Sequence, residues 1–348
     1  MLRVDHFSGG GSLYVALDVS LEKTAVCVMD TEGTPIIERA VPSDALSIAE
    51  LLTALPERPE RIGLEAGPLS EWLVRGLADA GFTATLMETR QVRAALSAMT
   101  VKTDRNDARG MAHLLRMGWF RQVHVKSMDA REQRVLLSAR TTLIRRLRDI
   151  ENSVRGLLRG FGFRFPRVLR VRWAQSVRDA LAGNPTLLAI IDPLLDAGAA
   201  LRDQLAVLEK RVRDAARQDP TCHRLMTMPG VGAVVALTFR AAVDRPERFS
   251  SSKAIGPCFG LTPRRYQSGE TDRTGTISRA GDASVRVALF EAAHVMMTRV
   301  ASWSKLKAWA VAVAKRRGVK RAKVALAPQN RRHSPSHVDQ RRRLPFHR

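Results

Sequence analysis

Residues 13–41, LYVALDVSLEKTAVCVMDTEGTPIIERAV, decide how the chain folds. Leu13 to Val19 is a short apolar run that carries Asp18, and Thr24 to Met29 is a second. Glu32-Gly33 makes the turn into a third, Pro35 to Val41. Three such runs separated by turns predict a β-meander with Asp18 on its first strand. Beyond it, Ser43 to Leu55 has helical spacing with Ser43 as its cap. Arg61 to Ala66 returns as a buried strand carrying Glu65, and Leu69 to Ala80 is helical. Thr83 to Met87 is a strand, and Arg90 to Met99 is helical again.

A meander followed by strands alternating with helices predicts an α/β sheet of the RNase H type. An acid inside an apolar strand is costly to bury without a partner, so Asp18 in VALDV and Glu65 in IGLEA are informative. Residues 101–116, VKTDRNDARGMAHLLR, add two more acids. Asp104 and Asp107 lie three apart, which places both carboxylates on one face of a helix. Taken alone they read first as acids favoured at the positive end of a helix dipole, and only second as a metal site. Together with Asp18 and Glu65 they predict a shared divalent-metal site for phosphoryl transfer, with Mg²⁺ as the ion and Mn²⁺ as its alternative. Lys102, Arg105 and Arg109 flank the pair and would favour an approaching phosphate.

The chain has 348 residues and a formal net charge of +23, so its expected partners are polyanions, nucleic acid first and a membrane surface second. No stretch is apolar enough to span a bilayer, and the N-terminus lacks a signal-peptide core, which predicts a cytoplasmic chain. Cys27, Cys222 and Cys258 lie far apart and read as incidental thiols.

Leu136, Leu143, Leu147, Ile150, Val154 and Leu157 step by three to seven, as do Leu194, Leu201, Leu205, Leu208, Val212 and Ala215. Two long helices in an antiparallel coiled-coil arm are expected. Residues 139–178 hold eleven Arg, no Lys and two acids. Within them FGFRFPRVLRVRW interleaves Phe161, Phe163, Phe165 and Trp173 with arginines, a pattern suited to bases and backbone phosphates; its alternative is a small apolar cluster with solvated arginines around it, and the lack of balancing acids favours nucleic acid. Arg159, Arg164, Arg167, Arg170 and Arg172 are the candidates.

Residues 225–243, LMTMPGVGAVVALTFRAAV, place a Pro-Gly-Val-Gly turn between helical stretches. A helix-hairpin-helix would use Gly230 and Gly232 to present backbone N–H groups to phosphate. Ser250-Ser251-Ser252 then precedes a short helix, Lys253 to Phe259. Residues 260–282, GLTPRRYQSGETDRTGTISRAGD, form a loop or distorted hairpin rich in arginine, with Arg264, Arg265, Arg273 and Arg279 near Ser268. By local chemistry Ser268 is a turn serine, because no adjacent base activates it.

The pieces YVALDVSLEKTAV, IGLEAGPLSEWL and VKTDRNDARGMAHLLR resemble the DEDD transposases of bacterial insertion sequences, the insertion-sequence 110 family. The match falls on Asp18, Glu65, Asp104 and Asp107, and covers about residues 13 to 327. It implies a RuvC-like N-terminal domain and a coiled coil that helps subunits assemble, as dimers or tetramers. It also implies a bridge RNA that pairs with donor and target DNA. The run GLTPRRYQSGE…GTISRAGD…R resembles the family's second catalytic region, where the serine of the S-G pair forms a covalent link to DNA. That makes Ser268 the implied nucleophile and Ser278 its rival.

The expected organisation is α/β plus all-α. It comprises a flexible terminus 1–12, the catalytic domain 13–126, a coiled-coil and arginine-rich linker 127–220, a helical domain 221–327 and a disordered basic tail 328–348. The tail departs from the family pattern, as though a frame change replaced a final helix. Two other classes stay open: a metal-dependent Holliday-junction-type nuclease with a structural Ser268, and an inactive nucleic-acid-binding remnant.

Overall fold

The computed structural model describes residues 12–165, 172–251 and 254–329. The basic tail beyond Gln329, Arg167 and Arg170 therefore lie outside the described residues, as do Ser252 and Lys253. The chain divides between Lys126 and Ser127 into two compact units.

The first unit is built on a six-stranded mixed sheet. β1 (Tyr14–Val19), β2 (Lys23–Met29) and β3 (Pro35–Pro42) form the predicted meander. α1 (Ala45–Thr53), β4 (Arg61–Glu65), α2 (Ser70–Asp79), β5 (Ala84–Met87), α3 (Thr89–Leu96), α4 (Asp104–Arg116) and β6 (Gln122–Val123) follow. The sheet order is β3-β2-β1-β4-β5-β6, with β1, β4 and β5 mutually parallel and β6 antiparallel to β5. This mixed α/β architecture agrees with the fold class read from the sequence. The cap of α1 differs. Asp44 accepts the Ser47 N–H at 2.8 Å, whereas the Ser43 hydroxyl pairs with Thr24.

Strand alternation divides the core in two. Leu13, Val15, Leu17, Ile62 and Leu64 pack with α1 and α2 on one face. Ala16, Cys27 and Met29 meet Met111, Ala112 and Leu115 of α4 on the other. Gly63 belongs to the α4 face, where a Cβ would lie 2.5 Å from the Leu115 side chain. Only glycine lets the helix approach so closely.

The second unit begins with two long helices, α5 (Met128–Arg159) and, after α6 (Trp173–Leu181), α7 (Pro185–Gln218). Ion pairs Arg140–Glu209 and Arg202–Glu151, each 2.9 Å, show that α5 and α7 run antiparallel. Their near end shares a core with α8 (Pro220–Met226), α9 (Ala233–Val243), α10 (Ile255–Cys258) and α11 (Ala283–Thr298). Between α10 and α11 stands a hairpin of β7 (Pro263–Ser268) and β8 (Thr271–Ile277). α12 (Lys305–Arg317) and α13 (Val319–Gln329) complete the described chain. No helix among the described residues is long and apolar enough to cross a membrane.

Candidate active site

β1 and β4 are parallel neighbours with Leu17 opposite Leu64. The next residue on each strand is an acid, Asp18 and Glu65, at the same level of the sheet. Both share the side-chain parity of Ala16 and Gly63, the face that α4 covers. Thr103 caps α4 by accepting the Asn106 N–H at 3.2 Å, so Asp104 and Asp107 occupy the helix's first turn. There the dipole favours negative charge. The fold thus brings the acids of two strand ends and one helix start to a single corner of the sheet.

The electrostatics record that convergence. Burial, then the Asp104, Asp107 and Glu65 carboxylates in that order, push the Asp18 carboxyl up to about 6. Glu65 is raised by burial and by Asp107, with Thr89 and Lys102 working against the rise. The nearest cation is Lys102, whose Nζ lies 3.8 Å from Asp107 and whose side chain is 86% exposed. Among the described residues no three acids, histidines or cysteines already stand as a closed set around a metal ion. The four acids share a field rather than a ligand sphere. A groove of about 410 Å³ opens beside them, lined by Asp18, Leu21, Glu65, Gly67, Pro68 and Leu69.

Ser268 ends β7 at the tip of the β7–β8 hairpin, where Gly269 takes φ 54° to make the turn. The strand residues up to Thr276 are exposed. Ser278, at the hairpin's base, is instead engaged. Its N–H donates to Thr262 O at 2.8 Å, and its hydroxyl accepts the Ala280 N–H at 3.5 Å. The base is tightly built. A Cβ on Gly260 or Gly281 would fall 2.2 Å from Ala280 N and 2.0 Å from Cys258 O. Arg286 Nη1 donates to the carbonyls of Ala280 at 2.7 Å and Gly281 at 3.1 Å.

The profile described as a transposase of the DEDD, IS110 type matches residues 15–163, and the "Transposase IS116/IS110/IS902 family" profile matches residues 222–308. Each covers one of the two constellations just described. The chain belongs to the IS110 family of DEDD transposases. It is similar to the transposase of insertion sequence element IS1111A from Coxiella burnetii, 27% identical over 66% of this chain and 64% of that protein. It is also similar to a probable family 20 transposase of Pseudomonas aeruginosa, 26% identical over 79% and 82% of the two chains. The transposase for element IS1328 of Yersinia enterocolitica is 22% identical over 82% and 84%.

Other candidate residues of the transposase fall in varied surroundings. Arg105 and Arg109 are held by Glu38 of β3, with Nε donating to its carboxylate at 2.9 and 2.8 Å. Those hydrogen bonds, Arg109's first, pull the Glu38 carboxyl down to about 2. Its side chain is only 10% exposed. Sequence reading missed this latch, which ties α4 to the sheet. Arg159, Arg164 and Arg172 are exposed. The aromatic half of that reading changes. Phe163, Phe165 and Trp173 pack into the apolar cluster at the α5–α7 end, and of the four rings only Phe161 is well exposed, at 63%. Burying large rings outweighs leaving them as base platforms. Gly230 also has a second duty, since a Cβ there would lie 2.4 Å from Ala292 O of α11. Its φ of 85° and that contact make it a packing glycine. Gly232, exposed, precedes the uncapped start of α9. Arg265 is paired with Asp272 at 2.6 Å.

Glu38→Gln is expected to cost about 1–3 kcal/mol of stability at pH 7, because two guanidinium groups lose their anionic partner. A carboxyl lowered on folding stabilises above its ordinary value of about 4.3 and loses that contribution as pH falls toward 2. Urea unfolding should therefore separate variant from parent at pH 7 and bring them together near pH 2–3. Equal stability at pH 7 would dismiss the latch.

Proposed function

We propose that this transposase cuts and rejoins DNA with the acid corner of the first unit as its metal site and Ser268 on the hairpin of the second unit as its nucleophile. The observation that carries the reading is the convergence of Asp18 and Glu65, side by side at the ends of β1 and β4, with Asp104 and Asp107 in the first turn of α4; burial and the three neighbouring carboxylates raise the Asp18 carboxyl, and a bound cation would offset that repulsion. The family suggests divalent-metal dependence. Asp18, Glu65, Asp104 and Asp107 would hold the ions, Mg²⁺ first and Mn²⁺ as the substitute, which would supply Lewis-acid stabilisation of phosphate oxyanions.

The Ser268 Oγ attacks the scissile phosphorus. An Oγ–P bond forms, the P–O bond to the sugar breaks, and the proton lost by the serine is balanced by the one the departing sugar oxygen gains. The phosphoserine keeps the bond energy, so a second strand's hydroxyl can reverse the step without an external energy source. Arg264 and Arg279 offset charge on the phosphorus. Exposure of Ser268 and engagement of Ser278 at the hairpin base support this choice of nucleophile.

Exposed Arg159, Arg164 and Arg172, with Lys102 at the acid corner, hold nucleic-acid backbone. A structured bridge RNA selects donor and target DNA by base pairing. The α5–α7 pair serves as the arm through which subunits assemble, as dimers or tetramers, in the bacterial cytoplasm on the nucleoid. In the test, RNA co-purifying with the protein is sequenced and added back with donor and target duplexes. Recombination is expected with Mg²⁺ or Mn²⁺ and should vanish with chelator or after ribonuclease. Recombination indifferent to chelator would refute the metal site; indifference to ribonuclease would refute the guide.

A further inference from the structure

The β7–β8 hairpin has two unlike faces. Directly opposed residues of an antiparallel pair share a face, and alternate residues change sides. Arg265↔Thr274 and Gln267↔Asp272 lie on one side, Tyr266↔Arg273 and Ser268↔Thr271 on the other. On the first side Arg265 is spent on Asp272, with Nε and Nη2 at 2.9 and 2.6 Å from its two oxygens, so that face is neutral. The second carries Ser268, Thr271, Arg273, which has no ion pair among the described residues, and an aromatic ring 69% exposed; the one acid near it, Glu270, lies in the turn beyond the paired strand residues.

The chain's two tyrosines contrast in the same way. Tyr14 is 8% exposed with its hydroxyl on Glu60 at 3.0 Å, whereas Tyr266 belongs to no buried apolar cluster among the described residues. An aromatic ring kept in water two residues from the proposed nucleophile, directly opposite an arginine across the strand pair, fits an unpaired nucleotide. Its phosphate would meet Arg273 and its base would lie on the ring. Exchanging strands breaks base pairs, so unpaired bases must stand near the attacked phosphate.

We propose that Tyr266 is a stacking residue that holds the unpaired base beside the scissile phosphate, with Arg273 gripping the adjoining phosphate of the same DNA strand. The opposite face, with Arg265 and Asp272, stays off the DNA. The proposal takes its location from Ser268 as the nucleophile, but its binding step needs no nucleophile.

The test uses the full chain carrying Ser268→Ala and a duplex with a short thymine gap containing 5-bromodeoxyuridine. Irradiation should cross-link the gap to the peptide bearing Tyr266. Tyr266→Ala should lose the cross-link and bind the gapped duplex about five- to tenfold more weakly, and Tyr266→Phe should retain both. Intact duplex should bind Tyr266→Ala and parent alike. Arg273→Gln should weaken gapped-duplex binding and lower the salt slope by about one counterion. Equal loss on gapped and intact duplex would overturn stacking, as would cross-links confined to other peptides. Because this background lacks the serine, failure of the nucleophile would leave these results untouched, and the reverse holds as well.

Discussion

Asp18→Asn is expected to raise the melting temperature of the metal-free transposase at pH 8 and to lower DNA cutting at least about a hundredfold. The parent carboxyl sits at about 6, raised by burial and by Asp104, Asp107 and Glu65. An acid whose value is higher in the folded than in the unfolded state binds its proton more tightly when folded. Its charged form therefore weakens the fold above pH 6, and the penalty fades as pH falls toward the ordinary value of about 4. The rise corresponds to about 3 kcal/mol at most, and solvent screening at this partly exposed corner reduces it to about 1–2 kcal/mol. Asparagine keeps the shape and removes the charge, so a gain of roughly 3–8 °C is expected at pH 8 and almost none at pH 4. Mg²⁺ should raise the parent's melting temperature and leave Asp18→Asn nearly unmoved, because only the parent presents the full set of anions. Cutting should fall by at least about a hundredfold, as a ligand that neutralises the cations is gone. Calorimetry at the two pH values, with and without Mg²⁺, checks the stability half and strand cutting on labelled DNA the other. A variant less stable than the parent at pH 8 would show that the acids do not strain one another.

If Ser268 is the nucleophile as proposed, Ser268→Ala is expected to remove the covalent protein–DNA species and to lower recombination by about a thousandfold or more, the scale on which enzymes lose activity with their nucleophile. Folding should be untouched, since the residue is exposed at a hairpin tip. Ser278→Ala is the matched control. Its hydroxyl caps a turn at the hairpin base, so it should retain the adduct. Denaturing gels of end-labelled DNA separate the outcomes. If Ser268→Ala recombines at the parent rate, the serine is structural. If it cuts without rejoining, the four acids act alone, as a junction nuclease would.

The acid corner was legible because Asp18 and Glu65 interrupt apolar strands, and Asp104 with Asp107 open a helix whose apolar stripe, Ala108, Met111, Ala112 and Leu115, is unambiguous. Parity and strand order then do the rest. Glu38 was not legible. It lies on a half-exposed edge strand, and its partners are 67 and 71 positions away. Arg286 was equally silent, because its acceptors are backbone carbonyls, which carry no side-chain signature. The Phe163, Phe165 and Trp173 misreading has a general cause. Composition says that rings and arginines are neighbours, but which way each ring turns is decided by the cavity that α5, α6 and α7 leave between them. β6, two residues long, is too short to show any periodicity.

The hairpin that carries Ser268 has water on both faces, and Arg265 and Asp272 brace it only from one of them. Among the described residues no histidine or carboxylate is hydrogen-bonded to that exposed hydroxyl, so any activation has to arrive with the substrate. Covalent capture by Ser268 should accordingly be undetectable on DNA that leaves the hairpin tip uncovered.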